Sequence, residues 1–281
     1  MLSEMKLAVV TGIARCTGIG HAICDILLDK GISVIGLDVN PLDASSPLPR
    51  KYADRFRSRI CRVDSDFVAL NQSIKSALSE LGHSNIDVVV NNAGMSSAYM
   101  PDIKIDGSDI EKALLRVNSR LQQFDTYIQN NLRSAFLVTE VCKQYFPPPD
   151  QGVIPSLRRP SASIIHISSS RALASEFGPS HSQEGYASAK AGLIGLTHAQ
   201  GQSMAGLARV NVILPGWINT EAEDGYIPTK EDHEWHASGR VGVPNDVAEL
   251  VAFLADDEKS GFITCQEFII DGGVTKRMHY P

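Results

Sequence analysis

Short apolar runs alternate along this chain with longer stretches in which apolar residues recur at helical spacing. Leu7-Ala8-Val9-Val10-Thr11 reads as a buried strand, and His21 to Lys30 carries Ala22, Ile23, Ile26 and Leu27 on one helical face before Gly31 stops it. The alternation continues with a strand at Ile32–Asp38, a third at Arg59–Val63 ending at Asp64, and a helix over Val68–Leu81 that aligns Leu70, Ile74, Ala77, Leu78 and Leu81. A fourth strand is expected at Ile86–Val90, a fifth at Ser163–Ile167, a sixth at Val210–Leu214 and a last one from Phe268 into the turn Asp271-Gly272-Gly273. Between them, Ile110–Val117 has helical character, and Gln122–Tyr145 predicts a long helix with Phe124, Ile128, Leu132, Phe136 and Val138 available for packing. Further helices are expected through Tyr186 to Met204 and from Pro244, a residue suited to a first turn, to Leu254. Asn40–Pro49, the Pro-rich Pro147–Pro160 and the polar Trp217–Arg240 read as irregular. Strands alternating with helices predict one α/β domain over residues 1–281, with a doubly wound, mostly parallel sheet and helices on both faces.

Composition narrows the function classes. At 281 residues, 43% hydrophobic and 21% charged, the chain can bury a substantial core. Its formal charge of -6 provides no basic footprint, so nucleic acid is not expected as a partner. The run after Met1–Lys6 is too short for a signal peptide or a membrane span, so no membrane role is expected. Cys16, Cys24, Cys61, Cys142 and Cys265 are scattered, with no Cys-x-x-Cys spacing, which suggests free thiols in a reducing, cytoplasmic setting. His233 and His236 stand alone in a polar stretch, and no metal is expected there. His166, inside a strand, is expected to be packed or hydrogen-bonded.

Three stretches carry candidate chemistry. Thr11-Gly12-Ile13-Ala14-Arg15-Cys16-Thr17-Gly18-Ile19-Gly20 joins a strand to a helix, the layout in which free helix-start N–H groups and a glycine-rich backbone receive a pyrophosphate. Asp38 follows Gly18 by 20 residues, the offset at which a carboxylate meets adenosine ribose hydroxyls and repels a 2′-phosphate. This favours NAD over NADP, although Arg15 or Arg50 could instead serve a 2′-phosphate. Tyr186 and Lys190 lie one helical turn apart, so an ammonium stands near a phenol and would lower its pKa, making it a usable general acid or base.

With these in place the sequence resembles the short-chain dehydrogenase/reductase family over essentially its whole length. The matching residues are Thr11-Gly12, Gly18-Ile19-Gly20, Asp38, Asn91-Asn92-Ala93-Gly94, Asn131-Leu132, Ile167-Ser168-Ser169, Tyr186 and Lys190, Pro215-Gly216-Trp217-Ile218-Asn219-Thr220, and Asp271-Gly272-Gly273. The resemblance implies a Rossmann-type fold and hydride transfer between a nicotinamide cofactor and a secondary alcohol or ketone. Tyr186 would exchange the proton, Lys190 would bind the nicotinamide ribose, Ser169 would hold the substrate oxygen and Asn131 a relay water. Gly12, Gly18, Ile19, Gly20, Asn92, Ala93, Gly94, Tyr186, Pro215 and Gly216 would contact the cofactor. Ile218 and Thr220 would fix its carboxamide and Asp64 would meet the adenine amino group. The family also implies a homodimer or homotetramer, with the long helices through Gln122–Tyr145 and Tyr186–Met204 at one interface.

The chain departs from the family pattern in four places. Five residues, Ile13 to Thr17, replace the usual three in the glycine loop. The Gly94–Asn131 segment is long, which makes Asn118 a decoy for the family's Asn. The Pro147–Pro160 loop is extended, and so is the Ser169–Tyr186 interval, with its insertion expected in Glu176–Glu184 and Ser170 as the alternative serine. A substrate loop is expected at about 217–240. Its Asn219, Glu221, Glu223, Asp224, His233, Glu234 and His236 favour a polar substrate such as a polyol, sugar or hydroxy acid. Two readings compete: a dinucleotide-binding sensor or scaffold without turnover, and epimerisation or dehydration of a nucleotide sugar.

Overall fold

The computed structural model describes residues 5–96, 109–148, 160–175, 182–221 and 225–278. Among the described residues, seven strands form one wholly parallel sheet in the order β3-β2-β1-β4-β5-β6-β7. They are β1 Leu7–Thr11, β2 Ser33–Asp38, β3 Phe56–Ile60, β4 Val88–Asn91, β5 Ala162–Ile167, β6 Ala208–Pro215 and β7 Glu267–Ile270. The helices are α1 Ile19–Asp29, α2 Leu48–Lys51, α3 Phe67–Leu81, α4 Ile110–Ile128, α5 Ser134–Lys143, α6 Ser182–Ser203, α7 Lys230–Glu234, α8 Pro244–Ala255 and α9 Asp257–Ser260. A doubly wound α/β architecture is therefore what the chain adopts.

Alternate residues of each strand serve opposite faces of the sheet. Ala8, Val10, Val34, Val88, Val90, Ile165 and Ile213 pack with α1 and α8, while Leu7, Val9, Ile35, Leu37, Val89, Ile164 and Val210 pack with α3 and α5. His166 points into the second layer. Asn91 Nδ2 donates to its Nδ1 at 3.1 Å, which places the ring proton on Nε2, 2.9 Å from Gln200 Oε1. Burial lowers the His166 pKa to about 4.

Two elements differ from the sequence expectation. The third strand lies at Phe56–Ile60, three residues before Arg59–Val63. It is an edge strand with one paired side, so it needs fewer apolar residues than a central strand. Cys61 and Val63 instead leave the sheet and pack beside α3. The expected helix at Gln122–Tyr145 is part of a longer path that starts at Ile110, capped by Asp109 Oδ1 accepting from Lys112 N at 2.9 Å. That path contains a π-helical turn at Gln129–Arg133 before α5. Phe124 and Phe136 face outward, whereas Gln123, Tyr127, Asn131, Ala135 and Val138 are buried. The parts of the Pro147–Pro160 loop and the Glu176–Glu184 insertion at 149–159 and 176–181 lie outside the described residues.

Cys265 has φ 59, the left-handed region, alone among described non-glycine residues. That conformation costs a side-chain-bearing residue ~1–2 kcal/mol, partly offset on replacement by glycine's greater loss of chain entropy. Cys265→Gly is expected to stabilise the fold by about 1 kcal/mol, read as a raised denaturation midpoint at unchanged slope. A lowered midpoint would mean that the sulfur's packing over Gly201 outweighs the relieved backbone.

Candidate active site

The carboxyl ends of β1, β4, β5 and β6 meet at one cleft. The crossover after β1 leads to one side of the sheet and the crossover after β4 to the other, so the two chain paths part and leave a crevice. The cleft encloses about 1080 Å³.

The glycine loop forms its floor. Gly12 has φ 77 and donates its N–H to Leu37 O at 2.8 Å; a Cβ on Gly20 would collide with the Gly12 carbonyl. These two glycines let α1 start directly behind the strand. Asn92 Nδ2 donates to the carbonyls of Thr11 (2.9 Å) and Gly12 (3.0 Å), and the Asn92 and Ala93 amides donate to Thr11 Oγ1 at 3.0 and 2.9 Å. Asn92-Ala93 is thus a splint between β4 and the loop. The two additional loop residues make a turn closed by Gly18 N to Arg15 O at 2.9 Å. The turn leans toward β6: Arg15 Nη2 and Thr17 Oγ1 both donate to Thr220 O, at 3.1 and 2.8 Å. No sequence motif announced this clasp.

Asp38 Oδ2 accepts from Ala14 N and Oδ1 from Asn40 N, each at 2.9 Å. It lines a smaller pocket of about 430 Å³ with Asn40, Arg50 and Ser58, while Arg15 lines the main cleft. Asp64 is buried and saturated: Oδ1 accepts from Arg62 Nε and Ser65 Oγ, and Oδ2 from Arg62 Nη2 and Gln129 Nε2. Burial alone would raise its pKa, but the Arg62 and Gln129 hydrogen bonds carry it below the usual carboxylate range. An adenine amino group would have to share or displace one of these donors.

At the inner end stand Ser169, Tyr186 and Lys190, all lining the cleft with Gly94 and Met95. Asn131, in the π-helical turn, accepts from Met95 N at 2.6 Å and donates to Met95 O at 3.1 Å. A Cβ on Gly94 would sit 2.5 Å from Asn131 Oδ1 and 3.5 Å from Lys190 Nζ, so only glycine leaves this approach open. Asn118 lies 13 residues earlier, on α4. Ser168 Oγ donates to Lys190 O at 2.7 Å, which ties β5 to α6. Ser169 is hydrogen-bonded to the Tyr186 hydroxyl, and Ser170 opens the following turn. The Tyr186 ring meets Tyr127 edge-on, with centroids 6.1 Å apart. Tyr127 is one helical turn before Asn131, a spacing that could have signalled it.

The Tyr186 pKa corrects an expectation. Burial raises it, and this outweighs the lowering by the Ser169 hydrogen bond and by the nearby Arg171 charge. Lys190 does not lower it here: its Nζ lies 5.8 Å from the Tyr186 ring centroid, donates to Ile167 O at 2.8 Å, and is so buried that its own pKa falls to about 8.

The outer wall is aromatic. Trp217 and Tyr226 have ring centroids 6.2 Å apart, and Trp235 stands beside them in the lining. His233 Nδ1 accepts from Val241 N at 3.2 Å and His236 Nδ1 meets Asp232 O at 2.8 Å, so both contact backbone. Glu223 and Asp224 lie outside the described residues. Among the described residues no helix is long and apolar enough to cross a membrane.

The donor set fits a dinucleotide. Gly18 caps α1 with no side chain over its amides, Gly18 and Ile19 face the cleft, and a Cβ at Gly94 would fill the space beside Lys190. Residues 12–275 match the family model described as enoyl-(acyl carrier protein) reductase. The chain is 33% identical to an uncharacterized oxidoreductase of Thermotoga maritima, over 99% of this chain and 98% of that protein. The chain belongs to the short-chain dehydrogenase/reductase family. It is also 29% identical to the 3-oxoacyl-[acyl-carrier-protein] reductase FabG of the same organism, over 98% of this chain and 99% of the relative. Among solved structures it is similar to the ligand-free aldohexose dehydrogenase of Thermoplasma acidophilum, with 27% identity, TM-score 0.71, and coverage of 99% of this chain and 97% of that one. Like other short-chain dehydrogenases/reductases, it is an oxidoreductase.

Proposed function

We propose that this chain is an NAD-dependent oxidoreductase for a secondary alcohol or ketone on a small polar compound, a polyol, sugar or hydroxy acid. The observation that carries this reading is the array of buried Ser169 and Lys190 with half-buried Tyr186, opening into a cleft that also holds the bare N-terminus of α1. In ketone reduction Tyr186 gives its proton to the forming alkoxide; in alcohol oxidation it takes one. Ser169 donates a hydrogen bond to the same oxygen and stabilises its developing charge. Lys190 would bind the nicotinamide ribose, and Asn131 holds the Met95 backbone on the same side of the cleft. A bound nicotinamide would supply or accept the hydride.

The helix-start amides at Gly18 and Ile19 would hold the pyrophosphate, with Gly12, Gly20, Asn92 and Ala93 shaping the loop behind them. Asp38 would take the adenosine ribose, and Asp64, clamped by Arg62, would bound the adenine end. Lys190 and Gly94 would flank the nicotinamide ribose, with Pro215, Gly216, Ile218 and Thr220 around the carboxamide. The similarity to a 3-oxoacyl reductase and an aldohexose dehydrogenase supports carbonyl–carbinol chemistry and leaves a sugar among the candidates. The working form in this reading is a homodimer or homotetramer. Exposed Ile110, Leu114, Val117, Leu121 and Phe124 form one apolar stripe along α4, the kind of face a second copy would cover.

Titration of the protein with NADH and NADPH tests the cofactor assignment. NADH is expected to bind at least tenfold tighter, and Asp38→Ala to erode that preference by about tenfold, the effect of removing a carboxylate that repels a 2′-phosphate. Tighter NADPH binding would overturn the role given to Asp38 and shift attention to Arg15 and Arg50.

A further inference from the structure

Among the described residues that line the cleft, cations outnumber carboxylates, although the chain as a whole carries -6. Among the described lining residues Arg15, Arg171, Lys190 and Arg277 stand against one carboxylate, Glu221. Two of the four have work in the reading above. Lys190 belongs to the tyrosine site, and Arg15 rides on the glycine loop, where its bond to Thr220 O keeps it on the cofactor side. Arg171 and Arg277 stand on neither the glycine loop nor the β4 turn. Arg171 follows Ser169 by two residues, donates its amide to Ser169 Oγ at 3.2 Å and its Nη1 to Gln183 Oε1 at 3.2 Å, three residues before Tyr186; an anion bound there would share the guanidinium with Gln183. The Arg171 charge is felt at the Tyr186 phenol, which fits that placement. Arg277 lies on the segment after β7, with Nη1 donating to the carbonyl of Trp235 in the aromatic wall.

We infer that the substrate carries an oxyanion, a carboxylate or a phosphate monoester, which Arg171 and Arg277 bind while its carbonyl or carbinol carbon faces Ser169 and Tyr186. This rests on the reading of Ser169 and Tyr186 as the reacting end of the cleft. A guanidinium suits the task because its N–H groups form a planar fork matched to carboxylate and phosphate oxygens. Trp217, Tyr226 and Trp235 would cover the body of the ligand, so the anion is expected on a carbon skeleton rather than alone.

The chain has two tryptophans, Trp217 and Trp235, and both line this cleft, so intrinsic fluorescence reports binding there without any turnover. The test titrates 3-oxo, 4-oxo and aryl 2-oxo acids, their methyl esters and dihydroxyacetone phosphate into the protein, with and without saturating NAD. At least one acid or the phosphate is expected to bind tenfold or more tightly than the esters, with affinity falling as salt rises. The gap should shrink at least tenfold in Arg171→Gln and in Arg277→Gln and persist in Lys75→Gln, an exposed charge on α3. Carboxylate and phosphate arms then identify which oxyanion is preferred. Esters binding as tightly as acids, a gap that survives both arginine substitutions, or no fluorescence change with any probe would overturn the inference. Turnover of neutral ketones alone would sink it while leaving the oxidoreductase reading intact. Tight, arginine-dependent anion binding without turnover on either nicotinamide would do the reverse.

Discussion

Lys190→Met is expected to stabilise the cofactor-free protein while ending its catalysis. Lys190 is buried in the wall of the cleft, and burial lowers its pKa from 10.5 to about 8. The sign follows from proton counting. Between pH 8 and 10.5 the unfolded chain holds the lysine proton and the folded chain has released it, so folding becomes more favourable as pH climbs through that window. Below pH 8 both states are protonated and the full cost of burying the ammonium is present. That cost is about 3 kcal/mol at 1.4 kcal/mol per pKa unit. Methionine removes the charge and keeps most of the volume, but strands the Ile167 carbonyl that Lys190 Nζ now satisfies, a loss of about 1 kcal/mol. A net gain of about 2 kcal/mol is expected at pH 7, shrinking toward pH 10.5, in denaturant melts of the two proteins. Equal stability at pH 7 would mean that the ammonium is solvated in the free protein. Turnover should fall by two orders of magnitude or more, on the order of a lost general acid–base partner. Stability and activity would thus move in opposite directions at one residue.

Tyr186→Phe isolates the hydroxyl. The ring would keep its edge contact with Tyr127, so the fold should hold, and NADH binding should change little because the phenol is not among the groups given to the pyrophosphate or the adenosine. Turnover is expected to drop by ~10²–10⁴, the range for loss of a positioned proton donor. The measurement is a rate of nicotinamide absorbance change over a panel of polyols, sugars and oxo acids, with and without the hydroxyl. A wild type that binds NADH tightly, turns over nothing in the panel and is unaffected by Tyr186→Phe would favour a sensor or scaffold. Tightly held NAD with substrate interconversion but no net redox change would point to epimerisation. In a protein that does turn over, the variant's survival with more than a tenth of the rate would remove Tyr186 from the mechanism.

The strands were legible because parallel central strands are buried on both faces and read as continuous apolar runs: Leu7–Thr11, Ser163–Ile167 and Val210–Leu214 all lie in strands. Phe56–Ile60 was not, since an edge strand alternates with polar residues and its neighbours Cys61 and Val63 were the more apolar signal. The break at Gln129–Arg133 left no mark in the spacing, because a π-helical turn shifts the face by one residue without a proline or glycine. Phe124 and Phe136, expected as packing positions, face outward, and the buried side of α4 and the π-helical turn is partly polar, with Gln123, Tyr127 and Asn131. Candidate site positions could be read from motifs, and the structure brings Gly94, Asn131, Ser169, Tyr186 and Lys190 together. The Tyr186 pKa could not be read, since it turns on burial rather than on the charge one turn away. The Arg62 clamp on Asp64 and the Thr220 clasp depend on side-chain paths that no spacing rule encodes.

The corner at Pro215-Gly216 has a consequence for how the protein comes into being. Gly216 N–H is satisfied by Ile270 O, a Cβ on Gly216 would press 2.6 Å from Asp271 Cα, and Asp271 in turn accepts from the amides of Gly273 and Thr275. One rim of the cleft is therefore held by a segment some fifty residues downstream of the strand it completes. On the ribosome, β6 emerges long before β7 and meanwhile offers an open, apolar sheet edge. A nascent chain would be without a finished catalytic cleft until that segment arrives, and it would be most prone to pair with a neighbour, or to engage a chaperone, at Val210–Leu214.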